Sequence, residues 1–211
     1  WRLSDARPPG RPKAPLLLDR FRHLLQAGAG PGPWVEGPPA LPEAFRRRAE
    51  TLLPAGPRYL GLAPGAGIRR KAWPLERYLD LGRAAAAAGL VPVVLLGPAE
   101  ADMLAPVRAA LPEALLPEQQ AAAGDAAAGP LLTIALAGRL AAAVANDSGV
   151  GHLLAAGGAP LVSLFGPTSP VKFAPAAARL AVLRAQDFGG KEMADLPLDP
   201  VLRAALEMAG G

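Results

Sequence analysis

The amino-acid sequence predicts an α/β protein with a Rossmann-like, doubly wound parallel sheet, and three observations carry that expectation. Short runs such as Tyr59-Leu60-Gly61-Leu62-Ala63 and Leu161-Val162-Ser163-Leu164-Phe165 are apolar almost throughout, as suits strands covered on both faces. Segments with hydrophobic residues at helical spacing separate these runs. Gly and Pro follow their carboxyl ends, in Pro64-Gly65, Gly97-Pro98 and Gly166-Pro167.

In chain order, residues 1–15 are rich in Pro and Arg and lack a helix-start signal. Leu16, Leu17, Leu18, Phe21, Leu24 and Leu25 then recur at helical spacing until Gly28. One such helix cannot bury its own apolar face and needs a partner elsewhere. Residues 28–42 form a Gly/Pro-rich connector. Pro42 stands in the first turn of a helix through Phe45, Ala49, Leu52 and Leu53, which ends near Gly56. Arg46-Arg47-Arg48 reads as the solvated face of that helix.

The first domain strand covers residues 59–63 and opens into the loop Pro64-Gly65-Ala66-Gly67. Trp73-Pro74 reads as a hydrophobic staple before a helix through Leu75, Tyr78, Leu79, Leu81 and Gly82, which ends at Gly89. Residues 91–96 form a second strand. A helix is expected over 99–111, with Met103 and Val107 on one face, and a short strand over 114–116. The Ala-rich residues 121–129 read as loop plus helix start. Helix over 131–138, strand over 142–145, helix over 150–156 and strand over 161–165 complete the pattern.

Of the 211 residues, 51% are hydrophobic and 19% charged, enough apolar matter for a buried core. The 24 Gly and 25 Pro require many tight connections. A net charge of +4 fits an anionic ligand, nucleic acid or a membrane surface without choosing among them, although no long basic tract interleaved with aromatics marks a nucleic-acid platform. Without cysteine the chain has no disulfide, thiolate metal site or Cys nucleophile, and two histidines make a His-rich metal centre implausible. No signal-like segment and no apolar run of membrane-spanning length is present. A cytoplasmic protein is expected.

Ligands of such sheets bind beyond the carboxyl ends of the strands, which directs attention to the loops there. In Asn146-Asp147-Ser148-Gly149-Val150-Gly151-His152, a strand of small residues ends and a helix begins. Ser148 can cap that helix, Gly149 lets a ligand approach the backbone, and the helix start favours phosphate. Asp147 suits hydroxyl groups or a nearby cation. His152 lies one turn after Ser148 and can share its ligand. Taken alone, a capped helix with a core histidine explains the motif equally well.

In the loop after the first strand, Gly65, Ala66 and Gly67 permit a tight anion-binding turn, and Lys71 supplies a compact cation. The alternative for Lys71 is an exposed loop lysine. The loop matches neither the nucleotide P-loop nor the dinucleotide fingerprint. Glu100, after Gly97-Pro98, could accept the hydroxyls of a ribose. Thr168, after Gly166-Pro167, offers a hydroxyl, although helix capping by Thr168 or Ser169 explains it as well.

Together the pieces resemble glycosyltransferase family 9, the ADP-heptose:lipopolysaccharide heptosyltransferases. They are Pro64-Gly65-Ala66 with Lys71-Ala72-Trp73-Pro74, Leu95-Leu96-Gly97-Pro98-Ala99-Glu100, Asn146-Asp147-Ser148-Gly149-Val150-Gly151-His152-Leu153 and Leu164-Phe165-Gly166-Pro167-Thr168. They fall in the family's order over residues 57–183. The resemblance implies the C-terminal, donor-binding half of a GT-B enzyme that transfers sugar with inversion and without bound metal or other cofactor. By it, Lys71 and Asp147 are the catalytic pair: Lys71 neutralises the leaving diphosphate and Asp147 binds the sugar. Gly65, Ala66, Gly67, Ser148, Gly149, His152 and Thr168 line the donor nucleotide. Glu100 is a ribose contact, with Asp102 as the alternative should the alignment slip.

The same resemblance divides the chain into residues 1–30, a remnant of an N-terminal acceptor domain, residues 31–56, a linker and helix, and residues 57–211, the nucleotide-sugar domain. Its implied partners are a nucleotide-sugar donor, a glycan or glycolipid acceptor and the N-terminal domain that carries the catalytic base. Peripheral contact with the inner membrane face would follow from such an acceptor. Family members often carry hydroxyl residues where this chain has Ala66 and Gly67, which leaves backbone contacts to phosphate there. A non-catalytic nucleotide-sugar-binding module and another GT-B enzyme, such as a sugar-nucleotide epimerase, remain open at the level of sequence.

Overall fold

The computed structural model describes residues 38–120 and 127–210. Its strands are β1 (Tyr59–Ala63), β2 (Val91–Val94), β3 (Leu140–Asn146), β4 (Leu161–Phe165) and β5 (Leu180–Arg184). They pair in parallel as one five-stranded sheet of order β2-β1-β3-β4-β5. The helices are α1 (Glu43–Leu52), α2 (Leu75–Ala87), α3 (Leu104–Ala110), α4 (Pro130–Ala137), α5 (Gly149–Ala156), α6 (Pro170–Phe173) and α7 (Leu198–Gly210).

Alternate strand residues enter opposite layers, as the two-residue period of a strand requires. Leu60, Leu62, Ala142, Val144, Val162 and Leu164 meet Tyr78, Leu81 and Ala85 of α2, Val107 of α3 and Val201 and Ala205 of α7. On the other face, Tyr59, Ala63, Ala143, Ala145 and Leu161 meet Ala49 and Leu52 of α1, Leu132 and Leu136 of α4 and Leu154 of α5. The expected doubly wound α/β architecture is therefore present. The helix expected at residues 16–25 and the Ala-rich residues 121–126 lie outside the described residues. Among the described residues, no helix is long and apolar enough to cross a membrane.

Several elements differ from expectation for identifiable reasons. The single helix expected over 99–111 is a 3₁₀ segment, Pro98–Met103, kinked at Glu100, followed by α3. Pro106 lacks the N–H that would bond back to Asp102, so a continuous helix cannot pass through it, whereas the first turn of a new one tolerates it. The strand expected over 114–116 is a single bridge from Leu115 to Val93, beside β2. β3 begins at Leu140 rather than at Ala142. The sequence reading names no element beyond Gly166-Pro167, where the structure adds α6, β5 and α7.

The α2 ends as read. Trp73 packs edge-on against Tyr78, with ring centroids 5.1 Å apart, across the positions of a hydrophobic staple. At the other end Gly89 takes a φ of 83°, and the N–H of Leu90 bonds to the Ala85 carbonyl at 3.0 Å. That reversal needs the left-handed conformation glycine adopts without strain.

Candidate functional site

Strand order places the loops after β1 and β3 side by side, although the chain leaves β1 toward one edge and later returns to β3 and the other. This is the switch point at which such sheets hold ligands. Asn146, the last residue of β3, is fully buried and ties the two loops together. Its Nδ2 donates to the carbonyls of Pro64 at 2.8 Å and Gly65 at 3.3 Å. Its Oδ1 accepts the backbone N–H of Trp73 at 3.0 Å and the Tyr78 hydroxyl at 3.1 Å. Burial pushes the Tyr78 phenol well above its ordinary pKa, so it remains a protonated donor. The Trp73 indole is anchored in turn on the Leu196 carbonyl at 3.0 Å.

The frame presents Lys71 to Asp147. Lys71 Nζ lies 2.8 Å from Asp147 Oδ2, with side-chain exposures of 21% and 6%. The reading of Lys71 as an exposed loop lysine therefore gives way to a half-buried ion pair. The Thr168 hydroxyl donates to the same Oδ2 at 2.7 Å. Among the described residues no donor is recorded on Asp147 Oδ1. The carboxylate thus takes two donors on one oxygen and retains acceptor capacity on the other. The capping alternative for Thr168 and Ser169 fails: Thr168 is committed to Asp147, and Ser169 makes no side-chain cap bond to α6.

Ser148 also departs from expectation. It stands at the N-cap position of α5 with extended backbone, but its side chain makes no cap hydrogen bond. Its Oγ is buried and has no hydrogen-bond partner among the described residues. An orphaned hydroxyl of this kind is costly unless something else meets it. Gly149 is exposed at the first turn of α5, so a ligand could reach the backbone there. His152 is exposed on the same helix, and among the described residues no hydrogen bond or ion pair joins it to Lys71 or Asp147.

Glu100 lies against the first loop. A methyl group on Gly65 would come within 2.5 Å of Glu100 Oε1, and one on Gly97 within 3.0 Å of Oε2. The absence of side chains at these glycines is what admits the carboxylate. Ala66 is half-buried, while Gly67 is exposed with open space around its Cα. Asp102, the alternative to Glu100, is exposed on the 3₁₀ segment and takes no part in this packing. Behind Glu100, Glu118 accepts a 2.5 Å hydrogen bond from Thr133.

Two residues in contact with these groups, Asn146 and Phe173, are not among the site candidates that the sequence offers. Asn146 was visible as part of its motif, but its role as a hub requires partners from three other segments. Phe173 lies close to two ammonium groups, with Lys71 Nζ 5.1 Å and Lys172 Nζ 4.9 Å from its ring centroid. An aromatic residue in a Pro-rich stretch gives no local sign of either contact.

Comparison with known proteins follows the same outline. Residues 3–195 match the family model described as Glycosyltransferase family 9 (heptosyltransferase). A Lipooligosaccharide heptosyltransferase 2 from Haemophilus influenzae is 33% identical over 127 residues, which are 59% of this chain and 36% of the relative. A glycosyl transferase family 9 structure from Veillonella parvula superposes with a TM-score of 0.77 at 20% identity, over 94% of this chain and 61% of the other. The E. coli ADP-heptose lps heptosyltransferase II gives 0.71 at 24% identity, over 92% and 62%. The chain thus spans about a third of the length of the curated relative and about three fifths of the solved chains.

Proposed function

The chain belongs to glycosyltransferase family 9, the heptosyltransferases, and from that premise we propose that its β1–β3 crevice binds the diphosphate of a nucleotide-activated sugar. The donor is ADP-heptose, and the reaction it serves is transfer of the heptose, with inversion, to a lipopolysaccharide-type glycan. The observation that carries the reading is the Lys71–Asp147–Thr168 cluster, built from three loops at the switch point of the sheet.

Each group has a chemical task in that reaction. As an acceptor hydroxyl oxygen bonds to the sugar's anomeric carbon and yields its proton to a base outside the described residues, the bond from that carbon to the diphosphate oxygen breaks and its electron pair stays with the diphosphate. Lys71 offsets the growing negative charge, helped by the backbone N–H groups at the start of α5. Ser148 Oγ, unpartnered among the described residues, supplies a further donor. Asp147 holds sugar hydroxyls through its remaining oxygen, and Glu100 accepts the ribose hydroxyls. Gly65, Ala66, Gly67 and Gly149 contribute backbone approach, Thr168 holds Asp147 in place, and His152 reaches phosphate from the exposed side of α5.

Calorimetric titration of the full chain tests the reading. ADP is expected to bind more tightly than AMP, and Lys71→Ala to weaken ADP roughly tenfold or more, since one charge-assisted contact is worth about 1–3 kcal/mol. Lys71→Ala also leaves the Asp147 carboxylate buried without its cation, so a melting curve must accompany the titration. Equal affinity for ADP and AMP, or ADP binding unchanged in a folded Lys71→Ala variant, contradicts the proposal.

A further inference from the structure

Lys71 and Lys172 each lie about 5 Å from the same Phe173 ring centroid, yet only Lys71 has a carboxylate partner among the described residues. Phe173 is half-buried at the end of α6, whereas Lys172 is exposed. The negative π-face of an aromatic ring attracts cations, and that attraction partly offsets the mutual repulsion of two ammonium groups held near the same ring. The segment that carries Phe173 begins at Thr168, whose hydroxyl holds Asp147. One short stretch after β4 therefore touches both members of the Lys71–Asp147 pair and holds a second cation, without a carboxylate partner among the described residues, over the same ring.

We propose that Phe173 is a positioning residue that keeps Lys71 aimed into the crevice and sets Lys172 as a second cation for the same diphosphate. The inference rests on the donor reading above and goes beyond it by assigning roles to two residues outside the motifs. Lys71 cannot give its full charge to a phosphate while bound to Asp147. A diphosphate that draws Lys71 away needs the ammonium restrained on another side, and the ring provides that restraint. A ligand with two phosphates matches two cations held around one ring better than a monophosphate does.

The test uses the full chain with Phe173→Leu, Phe173→Tyr and Lys172→Gln, titrated with ADP and with AMP. Phe173→Leu is expected to weaken ADP about three- to tenfold, to affect AMP less, and to leave the melting temperature near that of wild type. Phe173→Tyr retains the ring and should restore affinity. Lys172→Gln should reduce the dependence of ADP binding on salt. A Phe173→Leu variant that is folded and binds ADP as wild type does overturns the proposal, and so does a Tyr variant as impaired as Leu.

A ligand-free readout separates this proposal from the donor reading. The methylene protons beside Lys71 Nζ should show an upfield ring-current shift in the NMR spectrum, lost in Phe173→Leu and kept in Phe173→Tyr. No such shift in wild type overturns the positioning role. Failure of wild type to bind ADP, with the ring-current pattern intact, overturns the diphosphate reading and its second-cation clause while supporting the placement of Lys71 by Phe173.

Discussion

Asn146 uses both its amide donors and its carbonyl oxygen on four partners, and each is a group that would otherwise be unpaired beside the crevice. An aspartate at that place has the same shape but the wrong chemistry: it would turn a second acceptor toward the carbonyls of Pro64 and Gly65. Asn146→Asp is therefore expected to lower unfolding free energy by about 2–4 kcal/mol in urea titrations, through lost hydrogen bonds and a buried charge. A midpoint equal to wild type would remove Asn146 as the hub. At this scale the sequence singled out Lys71 and Glu100 because each follows a Gly- or Pro-marked strand end, and Asp147 because it closes a strand of small residues. It misled at Ser148 and left Thr168 open, since a hydroxyl before a helix has the local signature of a cap whatever it actually bonds. Only the spatial neighbour decides, and Asp147 is that neighbour for Thr168.

Between elements, the 3₁₀ turn Pro117–Gln120 joins α4 through the Thr133–Glu118 hydrogen bond. Burial raises the Glu118 carboxyl above the usual carboxylate pKa; the Thr133 hydroxyl opposes this, and the charge of Glu100 adds to it. The folded protein thus keeps the Glu118 proton to higher pH than the unfolded chain does. Its contribution is favourable below the unfolded value and is lost as pH rises through the folded one. Glu118→Gln retains an acceptor for Thr133 without the charge. It should melt above wild type at neutral pH, with the gap closing in acid below the ordinary carboxylate value. A gap that is absent at neutral pH, or that persists in acid, would contradict this account. Legibility at this scale follows burial and punctuation. The fully buried β1 and β4, bounded by Gly and Pro, match their expected limits. The edge strand β5 is only partly buried, and its short apolar run is flanked by Arg179 and Arg184 rather than by Gly or Pro, while the Ala-rich start of β3 carries no period that separates strand from helix.

The order β2-β1-β3-β4-β5 makes one molecule of these parts, because it brings loops far apart in sequence to a single crevice. Family membership and the α/β architecture were legible from motif order and from the alternation of strands and helices. The closed Lys71–Asp147–Thr168 cluster was not, since it depends on which strands are neighbours. The central claim is that this crevice receives a diphosphate, and amide chemical shifts during titration of the full chain with ADP test it most directly. The account predicts that the largest ADP-specific changes, relative to AMP, fall on Gly65, Ala66 and Gly67 and on Ser148 and Gly149 at the start of α5. Changes confined to other surfaces, with these amides unmoved at saturating ADP, would contradict it.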